Sequence, residues 1–192
     1  YLLEDDFTVN ATRDTYGINV SGSSKIDEIK LLYTAEFASQ TYETDTGADF
    51  DTDYMFLEAG VVFSGVTAKL GYEVLGSDDG AFGFGTPLAT LHKFNGWADV
   101  FLATPGTGLV DTYISLSTKV GPGKLTAVYH DFTADEDTPT IDDLGSEIDI
   151  VYAMKLGKNY NAGIKYADYS AGDAGTGKVD TEKFWLWVGL SF

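Results

Sequence analysis

Apolar and polar residues alternate with a period of two through most of this chain, and the element that such a period predicts is a β-strand. The clearest case is Lys183–Phe192, where Phe184, Leu186, Val188, Leu190 and Phe192 alternate with Lys183, Trp185, Trp187, Gly189 and Ser191. The same pattern predicts strands at Tyr1–Glu4, Thr15–Gly22, Asp27–Tyr42, Asp53–Ser64, Val66–Leu75, Val110–Val120, Lys124–Phe132, Ser146–Leu156 and Tyr160–Tyr169. Most approach the ~9–11 residues that a tilted strand needs to cross a bilayer. One face of each is nearly free of charge. Ile29, Leu31, Tyr33, Ala35 and Phe37 form such a face in the third strand, and Ile148, Ile150, Tyr152, Met154 and Leu156 in the eighth. Asp131 and Asp168 fall on these apolar faces, near their upper edge.

The connections carry a second pattern. Read back from Phe192, long and short ones alternate: Ser170–Thr181, Gly157–Asn159, Thr133–Gly145, Gly121–Gly123, Gly76–Leu109, Ser64–Gly65, Glu43–Thr52, Ser23–Ile26 and Asp5–Asp14. Short turns at one end and long loops at the other are the mark of an up-and-down barrel in an outer membrane. A soluble sandwich would instead bury the apolar faces against a second sheet. The expected fold is all-β: a transmembrane antiparallel up-and-down β-barrel, with about ten strands in a single domain spanning residues 1–192. The first strand, at residues 1–4, is too short to cross a bilayer. Unpaired backbone groups in lipid cost several kcal/mol each, so the chain is expected to be the C-terminal portion of a larger barrel.

Composition narrows the function. The 192 residues carry a net charge of −18, which opposes nucleic-acid binding because phosphate contacts need a basic face. There is no cysteine for a disulfide or thiolate metal site, and no apolar run long enough for a transmembrane helix. The charges on strands fall largely on the face opposite the apolar one. Lys30, Lys69, Lys119, Lys124 and Lys155 lie towards the short turns, Lys165 near mid-height and Lys183 high. Glu36, Glu58, Glu73, Asp111, Glu147 and Asp149 lie from the middle upward. Within a barrel these residues would line the pore, with an acidic mouth above a basic lower section. Rings of charge set selectivity in such paths, although cross-strand pairs also satisfy one another.

The longest connection reads Gly85-Thr-Pro-Leu-Ala-Thr-Leu-His-Lys-Phe-Asn-Gly-Trp-Ala-Asp-Val-Phe101. Thr86-Pro87 can open a helical turn, and Leu88, Leu91, Phe94, Trp97 and Ala98 recur at helical spacing. A short amphipathic helix is therefore expected in loop 76–109, folded into the barrel so as to constrict it. His92, Lys93, Asn95, Trp97 and Asp99 are the constriction candidates, with Phe94 and Trp97 as a stacking or packing surface.

This loop, followed by Val110–Val120 and Leu125–Phe132, resembles proteobacterial outer-membrane porins, including chains of the alginate-export family. The closing strand ending in Phe192 resembles the C-terminal signature of Gram-negative outer-membrane barrels. The resemblance implies a monomeric barrel of more than ten strands and recognition of the last strand by the barrel-assembly machinery. It also implies an arginine-rich conduit if alginate is the solute. Arg13, in an outer loop by the reading above, is the sole arginine, so the resemblance points to a porin and away from alginate.

No catalytic constellation emerges, and an enzyme is not expected. His130 and Asp131 are adjacent on one strand and so face opposite sides. Asp49–Asp53 imitates the start of an EF-hand but has Tyr54 and Gly60 where the motif needs glycine and glutamate. No dedicated metal site or cofactor is expected, only weak Ca²⁺ or Mg²⁺ binding at acidic outer loops such as Asp45–Asp53 and Asp135–Asp143. The expected function is a passive outer-membrane channel for small hydrophilic or charged solutes. The alternative is a closed structural or adhesive barrel with acidic, cation-binding loops. Expected partners are membrane lipid, lipopolysaccharide and, through self-association, a homo-oligomer.

Overall fold

The computed structural model describes residues 1–5, 10–89 and 91–192, and every extended element in it belongs to an antiparallel sheet. In chain order the strands are β1 (Leu2–Asp5), β2 (Ala11–Ile26), β3 (Ile29–Thr44), β4 (Asp49–Phe63), β5 (Val66–Leu75), β6 (Ser77–Asp78), β7 (Phe82–Gly83), β8 (Leu109–Val120), β9 (Gly123–Thr138), β10 (Ile141–Leu156), β11 (Tyr160–Ser170) and β12 (Thr181–Leu190). All but β6 and β7 form one ten-stranded up-and-down sheet in chain order. The β6–β7 ribbon sits apart, within the segment that joins β5 to β8. β1 pairs only with Ala11–Asp14 of β2, and no pairing joins β1 to β12 among the described residues.

At one end the hairpins are tight, and residues with positive φ occupy the turns: Asp27, Ser64 with Gly65, Gly121 and Gly157. At the other end several strands run further than the apolar alternation predicts. β9 and β10 each span 16 residues, so the expected loop Thr133–Gly145 is mostly strand and turns at Pro139-Thr140. The loop expected at Glu43–Thr52 is likewise mostly strand and turns within 45–48. These extensions are rich in Thr, Asp and Glu on both faces, so no apolar period marks them; the β3–β4 extension pairs in register, while the β9–β10 one shifts register twice, between Ile141 and Asp143 and between Asp143 and Gly145. Ser23–Ile26, expected as a turn, is strand, and the turn lies at Asp27-Glu28. Arg13 lies on β2 and not in a loop, with its guanidinium 4.9 Å from the Tyr42 ring centre. Of the expected loop Asp5–Asp14, residues 6–9 lie outside the described residues.

The two faces of the sheet differ in what covers them. Side chains on the outward face are open: Tyr16 is 71% exposed, Leu186 75% and Val188 73%. Ile18, Leu31, Phe37, Leu57, Leu70, Ile114, Leu116, Ile148, Ile150 and Ile164 are exposed as well, and no second sheet covers them among the described residues. The apolar core lies instead on the inward face, beneath the β5–β8 connection. Phe84, Ala98 and Phe101 of that connection pack with Leu75, Leu109, Phe132, Leu144 and Tyr169 of the strands. Phe101 packs at a tilt against Phe132, ring centres 4.7 Å apart, and meets Tyr169 edge-on at 5.9 Å.

Two glycines shape the inward face by what lies on them. Gly71 is in register with Tyr113, and Gly163 with Trp187. In each pair the aromatic ring occupies the space a β-carbon would need, so the ring lies down along the wall. No helix among the described residues is long and apolar enough to cross a membrane, a fact that does not bear on strands.

Candidate functional site

The site is built where residues 76–108 cross the inward face. Buried Gln40 on β3 clamps the start of the crossing, accepting from Gly85 N–H at 2.8 Å and donating to Gly85 O at 3.0 Å. Asn95 Nδ2 donates to Glu73 on β5 at 2.9 Å and to Asp111 on β8 at 3.4 Å. The backbone N–H groups of Trp97 and Ala98 donate to Asp149 and Glu147 on β10, at 3.1 and 2.7 Å. Asp99 then accepts from Lys183 on β12 at 2.8 Å, and its other oxygen lies 2.6 Å from His92 Nδ1. Lys178 Nζ finishes the crossing on Val100 O at 2.9 Å. The connection is thus fastened from β3 across to β12.

The expected amphipathic helix does not form. Only Leu91–Lys93 makes a single 3₁₀ turn, and Thr90 beside it lies outside the described residues. The reason is local. Asn95, Gly96 and Asp99 all adopt positive φ, which no right-handed helix tolerates. The N–H groups of Trp97 and Ala98 serve strand carboxylates and are not available to a helical ladder. Leu88 is 69% exposed while Ala98 is buried, so the two do not share a packed face.

Beneath the crossing lies a cluster of carboxylates. Asp111 is 1% exposed and is held by His130 Nδ1 at 2.9 Å, while His130 Nε2 lies 3.7 Å from Asp149. Glu147 and Asp149 are 1% and 0% exposed. One oxygen of each carries the crossing, while Glu147 Oε2 and Asp149 Oδ1 have no hydrogen-bond partner among the described residues. Tyr54 donates to Glu73, and both Tyr113 and Lys69 donate to Glu58. At the far end, burial pushes the Asp99 carboxyl upward, but bonds from Lys183 and His92 outweigh it and hold the group below the usual carboxylate range.

Two hollows occupy the inward face. The upper one has a volume of about 770 Å³ and lies between the crossing and strands β3 to β9. Glu36, Glu58, Lys69, Glu73, Asp111 and His130 line it from the sheet, and Lys93, Phe94, Asn95 and Trp97 from the crossing. The lower one, about 580 Å³, lies by the tight turns, and Lys119, Lys124 and Lys155 are among its walls with no carboxylate beside them. Lys119 is directly opposite Lys124 in register, an arrangement in which like charges repel.

The sequence-predicted residues therefore divide. Glu36, Glu58, Glu73 and Lys69 share the upper hollow, and Lys119, Lys124 and Lys155 the lower one. Glu147 and Asp149 line neither; as fully buried anchors for the crossing, they are corrected from wall to fastening. Lys165 packs its ammonium 4.6 Å from the Trp97 ring and 3.1 Å from His92 Nε2. Lys30 is exposed at the turn end, in register with Lys25 and Val62, away from both hollows. Among the constriction candidates, His92 and Asp99 bind one another, Trp97 packs under Lys165, and Lys93 faces the upper hollow with its ammonium 5.0 Å from the Phe94 ring.

Gln40, Tyr54 and Tyr113 escaped the sequence reading, which followed charge and apolar period and gave no weight to uncharged polar groups on the inward face. Several outer acids act as acceptors for backbone: Asp135 for Ser77 N–H, Asp78 for Asp51 N–H, and Asp173 for Asp142 and Asp143 N–H. Among the described residues, no group of three or more His, Cys, Asp or Glu is arranged to hold a metal ion. The chain matches no protein-family model, no curated protein and no solved structure.

Proposed function

We propose that this chain spans the outer membrane of a Gram-negative bacterium as part of a β-barrel and acts as a porin, a passive channel for small hydrophilic or charged solutes. The supporting observation is the opposition of the two faces. Large apolar side chains stand open along the outward face from β2 to β12, while the inward face gathers the charges, the crossing segment and both hollows. A water-soluble monomer rarely exposes a contiguous apolar patch beyond a few hundred Å², whereas a bilayer rewards such a face. The edges then need partners, because the length of β2 beyond its pairing with β1 and the outer edge of β12 carry unpaired backbone groups that lipid does not tolerate. Further strands of a larger barrel would supply them.

In this reading a solute diffuses past residues 76–108. It meets the carboxylates of the upper hollow first and the lysines of the lower one afterwards, and both bias which charges pass. Planar-bilayer recording tests the proposal: the folded protein should produce ohmic conductance steps, and a folded, inserted protein that stays silent at both polarities removes it. Reversing Lys119, Lys124 and Lys155 to Glu should shift the reversal potential in a salt gradient towards cation selectivity. An unchanged potential would remove the lower lysines from the path.

A second reading, a closed structural or adhesive barrel with cation-binding outer loops, has one observation in its favour. The crossing is fastened from β3 to β12, more as a fixed plug than as a loose loop. Silence of the inserted protein at both polarities would select this reading.

A further inference from the structure

We infer that the upper hollow is a binding site for small organic cations, compounds that carry an ammonium or guanidinium on an apolar body. This goes beyond the channel proposal and does not depend on conduction. The inference begins with charge. Four carboxylates, Glu36, Glu58, Glu73 and Asp111, line the hollow against two lysines. The two lysines fall short of neutralising the set of four. Lys69 is committed to Glu58 at 2.8 Å. Lys93 holds its ammonium 5.0 Å from the Phe94 ring and has no carboxylate among its hydrogen-bond or ion-pair partners among the described residues.

The walls supply the second half. Phe94 and Trp97 line the hollow from the crossing, and Tyr54 and Tyr113 from the sheet. Aromatic faces attract cations when water is partly excluded, and a carboxylate nearby adds to that attraction. The molecule already uses this chemistry on itself: Lys93 rests on Phe94, and Lys165 rests on Trp97. An external ammonium would occupy the same kind of surface, with Glu36 as its most accessible counter-charge. Glu36 is only half-buried, and its hydrogen bond is to the exposed Asn19 at 2.7 Å, whereas Glu73 and Asp111 are buried and engaged by Asn95. At about 770 Å³ the hollow has room for a molecule the size of an arylalkylamine.

Three probes of nearly one shape isolate the charge: benzylamine, benzyl alcohol and benzoate. Each is titrated at pH 7 into the full chain folded in detergent, with tryptophan emission as the readout because Trp97 forms part of the wall. Benzylamine should bind saturably and about tenfold more tightly than benzyl alcohol, and benzoate should not bind. Glu36→Gln should weaken benzylamine severalfold while leaving benzyl alcohol unchanged. Lys93→Met, which removes the resident ammonium, should tighten it. Glu36 makes none of the bonds that fasten the crossing, and unchanged emission of the free variant shows that the fold is kept.

Equal affinity for benzylamine and benzyl alcohol would overturn the inference, as would preference for benzoate or no saturable binding by any probe. Benzylamine binding that ignores both substitutions would place the site elsewhere and also overturn it. A protein that binds benzylamine as described but is silent in bilayers loses the channel proposal and keeps this one. A protein that conducts without binding benzylamine does the reverse.

Discussion

Gly96→Ala puts the fastening of the crossing to a direct test. Gly96 has φ near 84°, and a β-carbon there would lie 2.6 Å from Glu147 Cδ, inside the carboxylate that holds Ala98 N–H. Two costs add. A left-handed backbone costs a residue with a β-carbon about 1–2 kcal/mol. Displacing Glu147 from Ala98 N–H forfeits a charge-assisted bond in a buried setting, about 1.5–3 kcal/mol. A total near 3 kcal/mol corresponds to roughly a hundredfold rise in the open population of the segment.

Hydrogen exchange of peptides covering Trp97 and Ala98, read by mass spectrometry, reports that population. Gly47→Ala is the control, because Gly47 has nearly the same φ, 85°, yet nothing lies within 4 Å of its β-carbon position. It should show the backbone cost alone, confined to its own turn. If Gly96→Ala exchanges no faster than the native chain, or both variants lose the same protection in the crossing, the Glu147 anchor does not hold the segment and the reasoning fails.

Other outcomes follow from the same geometry. His130→Ala takes from Asp111, 1% exposed, its nearest hydrogen-bond partner and should cost about 1–3 kcal/mol in urea unfolding; no loss of stability would show that water replaces the imidazole. Asp99 should report acid release of the crossing from β12. Its folded pKa is depressed, so its contribution is complete above the unfolded value of about 3.9 and disappears as pH falls through the lower folded value. A transition in Trp185 emission below about pH 4, absent in Asp99→Asn, is the expected signature, since His92 lies 5.3 Å from Trp185. Leu186→Arg, on the outward face midway along β12, should cost about 2–4 kcal/mol for folding into lipid vesicles if that face meets the bilayer, and close to nothing if it meets water.

The sheet was legible because its signal is local. A period of two fixes the parity of each strand wherever one face is uniformly apolar, and β5 begins and ends at the residues the alternation marks. Legibility stopped where both faces turn polar. Thr133–Thr138 and Ile141–Gly145 are extended, joined at Thr138–Ile141 and Thr133–Asp143 with shifts of register between, and the side-chain pattern is indifferent to that backbone pairing. The crossing illustrates the opposite error: Leu88, Leu91, Phe94 and Trp97 keep helical spacing, but positive φ at Asn95 and Gly96 overrides it. Charge placement was half readable. Parity assigned Glu147 and Asp149 to the inward face, but which carboxylates would bear the crossing depended on a tertiary contact between residues 49 and 52 positions apart.

The rings lying on Gly71 and Gly163 also bear on how much room the inward face leaves. A tyrosine or tryptophan standing upright on an inward face would reach several ångströms above the sheet. Laid over a glycine on the next strand, it adds only the thickness of a ring to the wall. The glycine opposite each ring therefore acts as a recess that keeps the inward face low, and Tyr113 can present its hydroxyl sideways to Glu58 without crossing the hollow. Free space inside this sheet thus depends on residues that have no side chain: filling the recess at Gly71 would raise Tyr113, detach it from Glu58 and narrow the upper hollow from the strand side, leaving every charge in place.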